Sequence, residues 1–307
     1  MDWDAPYIEA LITAALGEDV GAGDATVAAT VSPTTPATAR IVALMELVCA
    51  GLPLMERILS RLDADISIEL RAVEGQRVAR GATLATLRGN AGAILSGEQT
   101  VLNVLSRLSG IATLTREYVD RIAGTRAKIR DTRVTTTGLR QVEQYAVRMG
   151  GGAHHHAGLF DAIVVTRAHV AAAGGVTAAL DRAHSRASQL MNPQALSAYE
   201  ATGTIPAEME ASSLAIQIEA GSEAELREAL SAGAESILVA EMTAQQTAEL
   251  VNVAHTLRPD CVIEYCGDIS VTDARAYAEA GVDYLAPRAL TTDAPWARLR
   301  LVVDRFR

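Results

Sequence analysis

The stretch LAIQIEAGSEAELREALSAGAESILVA, residues 214–240, decides the fold. A short run in which apolar and polar residues alternate, LAIQIEA, gives way to the helical spacing of EAELREALSAG. Behind its closing glycine a second apolar run, SILVAE, begins. Alternation of period 2 reads as strand and spacing near 3.6 reads as helix, so this is a strand–helix–strand unit with parallel strands. The same rhythm extends in both directions. AKIRDTR (127–133), DAIVVT (161–166), CVIEYCG (261–267) and VDYLAPRAL (282–290) are further strand runs, and VTDARAYAEAG (271–281) is another helix. About six parallel strands predict a closed or nearly closed α/β barrel, with an open doubly wound sheet as the alternative. A barrel carries its chemistry at the C-terminal strand ends, which gathers Arg133, Thr166, Glu219, Ala240, Cys266 and Arg288 at one mouth. Strand parity puts Gln217 and Glu219 on one face of their strand and Glu264 and Cys266 on one face of theirs, so a bridge between Cys261 and Cys266 is not expected.

Upstream the pattern differs. Residues 7–17 read as a helix, followed by the turn-rich EDVGAGDAT. ATARIVALMELVCAG, ADISIELRAV and ATLATLRG then read as strands of a small antiparallel sheet. EGQRVARGATLATLRG has the look of a lipoyl-type hairpin but lacks the central lysine, and reads as scaffold. Residues 97–123 have helical spacing, and the glycine at 110 predicts a break and a domain hinge. The expected organisation is an N-terminal α/β domain over 1–109, a barrel over 110–290, and a tail over 291–307 that packs back on the first domain. Residues 187–213 lengthen a helix-to-strand connection well past the usual 2 to 6 residues, and such connections lie opposite the active face, so an oligomer contact or packing flap is expected there.

Composition narrows the partners. The chain has 307 residues, 49% hydrophobic, and a formal charge of −10. An acidic chain has no general grip on nucleic acid. Three cysteines, Cys49, Cys261 and Cys266, form no CxxC pair, which fits a reducing cytoplasm. The first residues, MDWDAPYIEALITAAL, lack the basic and apolar regions of a signal peptide, and no run approaches 18 apolar residues. The expected partner is a small molecule.

Four of the six histidines fall within GGGAHHHAGLFDAIVVTRAH (150–169): His154, His155, His156 and His169. Imidazoles at HxH spacing can hold zinc. A polar corner that hydrogen-bonds an anion is the competing reading. The triple glycine is no dinucleotide fingerprint, because GxGxxG after a strand is missing; it suits close backbone approach instead.

LNVLSRLSGIATLTREYVDRIAGTRAKIRDTR, then GLRQVEQYAVRMGGG, AGGVTAAL and YAEAGVDYLAPRALT together resemble quinolinate phosphoribosyltransferase over nearly the whole chain outside the insertion. The resemblance implies an N-terminal α/β open-faced sandwich, a C-terminal α/β barrel, and a homodimer or higher assembly in which the neighbour's N-terminal domain completes each mouth. It implies joining of quinolinate to phosphoribosyl pyrophosphate with Mg²⁺, loss of pyrophosphate and CO₂, and no organic cofactor.

The family's motifs are altered in this sequence. Glu-Arg before the long helix is Glu98-Gln99 here. Asp-Thr-Arg-Lys-Thr is Asp131-Thr132-Arg133-Val134-Thr135, and Asn-His-Arg is His154-His155-His156. Lys-Asp-Asn-His is Thr166-Arg167-Ala168-His169, and the paired glutamates are Gln217 and Glu219. Leu-Asp-Asn is Val239-Ala240-Glu241, and the phosphate loop is Glu264-Tyr265-Cys266-Gly267-Asp268, with Arg288 in place of a later glycine. Four cationic positions have become Gln, Val, His and Thr.

The leading expectation is therefore ribosyl or phosphoribosyl transfer to a less anionic N-heterocycle. A barrel lyase or decarboxylase without a ribosyl donor, and a non-catalytic ligand-binding relative, stay open beside it. In the first reading Arg133 holds a carboxylate that His155 orients, and Glu219 touches ribose or metal. Arg288 and His156 take over part of the anion contact, with His156 supplying pH-dependent positive charge. His154, Thr166, Arg167, His169, Glu241, Glu264, Cys266 and Gly267 complete the candidate substrate contacts. Cys266 reads as a small residue in the place of serine, with a nucleophile as the alternative.

Overall fold

The computed structural model describes residues 1–159, 161–187 and 214–306. The expected insertion therefore falls, apart from Ala187, outside the described residues. Two compact units are present: Met1–Glu117 with Thr135–Gly152 and Leu290–Arg307, and Tyr118–Val134 with Ala153–Ala289.

In the first unit, helix α1 (Pro6–Asp19) begins at a proline, whose missing N–H and fixed φ suit a first helical position. Helix α2 (Ala25–Thr30) is capped by Asp24, which accepts from the Val27 N–H at 2.9 Å. Four antiparallel strands form a sheet in the order β12-β1-β5-β3, namely Leu299–Phe306, Pro36–Ala43, Thr83–Asn90 and Ser67–Leu70. Every second residue of β1, from Ala37 to Ala43, is buried, as expected for a sheet with one face on a core. Strands β2 (Leu47–Val48) and β4 (Arg77–Val78) pair separately. Helix α3 (Leu52–Leu62) has no side-chain cap of its own. Its free N–H groups are met by Glu74, which accepts from Gly51 N at 3.0 Å, Leu52 N at 2.7 Å and the Tyr145 hydroxyl at 2.5 Å.

Helix α4 (Ala91–Arg121) corrects one expectation, because it runs unbroken through Gly110. A Cβ at that position would overlap the carbonyl oxygen of Pro295, so the glycine permits a close approach of two backbones rather than a bend. Helix α5 (Arg140–Met149) ends at the triple glycine. A Cβ on Gly150 would lie 2.5 Å from Ala112 O and one on Gly152 would lie 2.6 Å from Val147 Cγ1, while Gly151 has φ +93. Space and backbone conformation both call for glycine here.

In the second unit, six parallel strands stand in the order β7-β8-β9-β10-β11-β6. They are β6 (Lys128–Ile129), β7 (Ala162–Val165), β8 (Ala215–Glu219), β9 (Ser236–Val239), β10 (Val262–Gly267) and β11 (Tyr284–Pro287). Each strand from β7 onward lies beside its successor, and the last pairs with the first. This cyclic order belongs to a barrel; a doubly wound sheet would reverse direction at a switch point. Between β6 and β7, Arg130 and Ala153 form a parallel bridge. It rests on Ala153 N donating to Ile129 O at 2.7 Å and Asp131 N donating to Ala153 O at 3.2 Å. Helices α6 (Arg167–Ala173), α7 (Val176–Ala187), α8 (Glu223–Ser231), α9 (Ala244–Leu257) and α10 (Ala274–Glu279) fill the connections. Ser222 caps α8, and Thr243 with Gln246 forms a capping box on α9.

Candidate active site

Because the strands are parallel, their C-terminal ends share one edge of the second unit. Thr166 follows β7, Glu219 closes β8, Ala240 follows β9, Cys266 and Gly267 close β10, and Arg288 follows β11, while Arg133 lies four residues past β6.

The buried centre of this edge is Glu264, only 1% exposed. Arg130 Nη1 donates to its Oε2 at 2.8 Å, Gln217 Nε2 donates to the same oxygen at 3.2 Å, and His155 Nε2 lies 3.0 Å from Oε1. Burial alone would raise this carboxyl. The nearby His155, then the charge of Arg130 and the Gln217 amide, outweigh burial and hold it below the ordinary carboxylate value. The Arg130 guanidinium also lies 4.5 Å from the centre of the Tyr284 ring, a cation–π contact.

The histidine run is held by its backbone as much as by its rings. Asp131, fully buried, accepts from His155 N at 2.6 Å, and His154 Nδ1 lies 3.4 Å from its other oxygen. On the far edge of the same peptide unit, Arg130 Nε donates to His154 O at 3.0 Å. His155 and His156 meet edge to face, with ring centres 4.1 Å apart. His156 Nδ1 stands 4.0 Å from Asp161, whose carboxylate accepts from Ala157 N at 2.7 Å. Burial, with His155 next, pushes the His156 imidazole down to about 4. The expectation of positive charge at His156 is therefore corrected: near neutral pH this ring is uncharged. Among the described residues no group of three or more His, Cys, Asp or Glu side chains is arranged to hold a metal ion.

The remaining candidates divide. Thr166 and His169 form a capping box on α6, with Thr166 Oγ1 and His169 Nδ1 2.8 Å apart and Thr166 N donating to the same ring nitrogen at 3.1 Å. Arg167 donates its N–H to Glu219 Oε2 at 3.1 Å, and its guanidinium would lie 3.3 Å from a Cβ on Gly221. Glu241 is exposed and has φ 57, the one positive φ on a non-glycine among the described residues. The next carbonyl, Met242 O, is fixed by the hydroxyls of Tyr265 at 2.7 Å and Tyr277 at 2.9 Å. Arg288 donates its N–H to Gly267 O at 3.1 Å, lies 3.6 Å from Asp268 and hydrogen-bonds Cys266. Burial, then the charge of Glu264, pushes the Cys266 thiol up to about 11, so it is protonated at neutral pH and no ready nucleophile. Arg133 is exposed, with no ion pair among the described residues.

Both family models for quinolinate phosphoribosyl transferase match this chain, the N-terminal domain over residues 24–109 and the C-terminal domain over 111–205 and 195–302. The chain belongs to the quinolinate phosphoribosyltransferase family. It is 35% identical over 290 residues to a probable nicotinate-nucleotide pyrophosphorylase [carboxylating] of Synechocystis sp., covering 94% of this chain and 90% of that one. It is 36% identical over 283 residues to the nicotinate-nucleotide pyrophosphorylase [carboxylating] of Mycobacterium leprae, covering 91% of each. Among solved structures, the nicotinate-nucleotide pyrophosphorylase of Francisella tularensis superposes with a TM-score of 0.82 at 28% identity, covering 97% of this chain and 96% of that one. NadC of Streptococcus pyogenes gives 0.83 at 29%, covering 99% and 100%.

Within this family member, sequence reasoning missed Arg130. The signal was present: Arg130 stands between a strand residue and Asp131, and a charged side chain at the end of a barrel strand needs a partner. Gln217 and Asp131 were noticed as parts of motifs but not as members of the buried network that the structure assembles.

Proposed function

We propose that this protein transfers a phosphoribosyl group to the ring nitrogen of a heterocycle less anionic than a pyridine dicarboxylate. The observation that carries the reading is the charge at the strand ends. At and just past the strand ends stand Arg130, Arg133, Arg167 and Arg288 together with Asp131, Glu219, Glu241, Glu264 and Asp268, four cations against five carboxylates, with His156 neutral. Arg130 is already committed to Glu264, and Arg288 lies beside Asp268. A charged hydrogen bond to an anion contributes about 1.5–3 kcal/mol, so Gln99, Val134, His156 and Thr166, at positions where the resemblance implies cations, weaken the hold on a dianion by orders of magnitude.

In this reading the heterocycle nitrogen attacks the anomeric carbon as the bond to pyrophosphate breaks, and pyrophosphate leaves. The chain's contribution is to hold both molecules in line and to meet charge as it moves. Arg133, the exposed cation, meets an anionic group of the donor or acceptor, and Glu219 and Glu241 meet ribose hydroxyls. Mg²⁺ would be held chiefly by the donor's phosphates, since hard oxygen ligands suit it and Glu219 and Glu241 are the strand-end carboxylates available to it.

The test is release of pyrophosphate from phosphoribosyl pyrophosphate with Mg²⁺, measured with quinolinate and with a panel of neutral and monoanionic N-heterocycles. Donor-dependent release with one of the panel, exceeding that with quinolinate by about a hundredfold or more, supports the proposal. Faster release with quinolinate sinks it. A homodimer or higher assembly belongs to the same proposal and is checked by sedimentation.

A further inference from the structure

We infer that Tyr265 and Tyr277 are positioning residues: together they hold Glu241 in a left-handed backbone conformation and so present its carboxylate at the strand ends. What the carboxylate meets there, the ribose hydroxyls of the donor, rests on the function proposed above; the holding itself is tested without any ligand.

One peptide unit, between Met242 and Thr243, is gripped on both edges. Its carbonyl oxygen accepts from the Tyr265 hydroxyl at 2.7 Å and the Tyr277 hydroxyl at 2.9 Å, so both of its lone pairs are used. Its N–H donates to Gln246 Oε1 at 2.9 Å, within the capping box that opens α9. On the other side, Val239 is held in the sheet, in register with Tyr265 of the neighbouring strand. Only Ala240 and Glu241 are left to join a fixed strand end to a fixed peptide. The chain closes that gap by turning Glu241 to φ 57, a conformation that disfavours a residue with a Cβ.

The tyrosines are themselves fixed. Their rings meet with centres 4.4 Å apart and planes tilted by 40°, and Tyr265 is buried. The Tyr265 ring lies over Gly267, where a Cβ would stand 3.2 Å from Cε1 and 3.4 Å from the hydroxyl oxygen. Burial, with Tyr277 next, raises the Tyr265 hydroxyl above its ordinary value, so it remains a donor.

Backbone strain persists only where its surroundings over-determine it, and it gathers at sites that handle ligands. Glu241 fits that pattern. It is exposed, and its carboxylate makes no hydrogen bond or ion pair among the described residues. Of the two carboxylates assigned to ribose hydroxyls, Glu219 already accepts from Arg167 N, whereas Glu241 has its whole acceptor capacity to offer.

The experiment uses the full chain. Urea unfolding of wild type, Glu241→Gly, Tyr265→Phe/Tyr277→Phe and the triple variant forms a double-mutant cycle. Phenylalanine removes only the two hydroxyls, and glycine removes the strain of a positive φ. While the tyrosines hold the turn, glycine at 241 relieves strain in the folded state; once the hydroxyls are gone, the turn relaxes and that gain is lost. The expected coupling is about five- to thirtyfold in the unfolding equilibrium constant, and additive effects overturn the inference. Calorimetric titration with phosphoribosyl pyrophosphate and Mg²⁺ is the second arm. Glu241→Ala weakens binding by about 10- to 150-fold, the phenylalanine pair weakens it in the same direction, and in Glu241→Ala the pair weakens it no further. Unchanged affinity in Glu241→Ala or in the folded pair variant, or a loss from the pair that persists in full without Glu241, overturns the inference. Wild type that does not bind the donor refutes the proposed function instead, and the cycle alone then decides the holding. Should the pair variant not fold, Tyr277→Phe carries both comparisons, with effects of the same sign.

Discussion

Replacing His156 by glutamine should remove about 2 kcal/mol of the protein's loss of stability in mild acid. The native imidazole is pushed down to about 4 by burial and by His155, while an unfolded chain titrates at the ordinary 6.5. At pH 5 the unfolded state therefore holds a proton on this ring that the native state does not. Stability rises with pH wherever the unfolded state binds more protons, so this group costs nothing above pH 7 and costs progressively more as pH falls from 6.5 to 4. Integrating between pH 7.5 and pH 5 gives about 2 kcal/mol, and about 1.6 kcal/mol if the native value is nearer 5. The side chain is only 13% exposed, so solvent screening takes little from that figure. Urea unfolding at the two pH values, for wild type and His156→Gln, measures it. The wild type should lose about 2 kcal/mol more than the variant between pH 7.5 and 5. Equal losses would show that the ring is solvated or charged in the native state, and the electrostatics described for the histidine run would be wrong.

Other consequences can be checked with the same instruments. Glu264→Ala leaves the half-buried Arg130 without its carboxylate and should cost about 2–4 kcal/mol at neutral pH; Glu264→Gln should cost less, and a loss below about 1 kcal/mol for the alanine would contradict the network around Glu264. The stability that Glu264 contributes is present above its ordinary value of 4.5 and fades as pH falls through its lowered native value, so the gap between wild type and Glu264→Gln should narrow below pH 4.5. Gly110→Ala should lower the denaturation midpoint by an amount equivalent to about 2 kcal/mol or more, since the obstructing atom is the backbone oxygen of Pro295. With Cys49, Cys261 and Cys266 pushed up to about 12, 11 and 11, the native protein should react slowly with a thiol reagent at pH 7.4, and all three should react at once after unfolding. Under the proposed function, Arg133→Ala should weaken binding of the ribosyl donor by about 10- to 150-fold, measured calorimetrically, and unchanged affinity would remove Arg133 from the site.

The barrel was legible because its signal is periodic. Runs such as Ala215–Glu219 and Val262–Gly267 carry period 2, the helices between them carry 3.6, and strand order follows from chain order in a cyclic fold. Gly110 misled because a lone glycine in a helical pattern has two physical meanings, a bend or a close approach, and only the distant Pro295 selects between them. At the site, the strand-end positions could be read from the same periodicity, whereas the charge state of His156 depends on how deeply the fold buries it, and the pairing of Arg130 depends on residues 24 and 134 positions away along the chain. Arg130 pairs with His154 and Glu264, and His169 turns inward to cap its own helix rather than outward to a ligand. A motif records which residue types stand together; it does not record which of them have already spent their hydrogen bonds on each other.

Strand β12 has a consequence for how the molecule is made. It pairs along β1, so residues 37–43 wait for residues 299–306 before the sheet of the first unit is whole. At about 5–20 residues per second, roughly 260 residues of synthesis separate the two, some 13 to 50 seconds during which the open edge of β1 is exposed. The second unit, whose strands fall between them, can fold in that interval. The earliest part of the chain to appear is thus among the last to be completed, and a nascent chain stalled before β12 offers an unpaired strand edge to any neighbour on the same messenger.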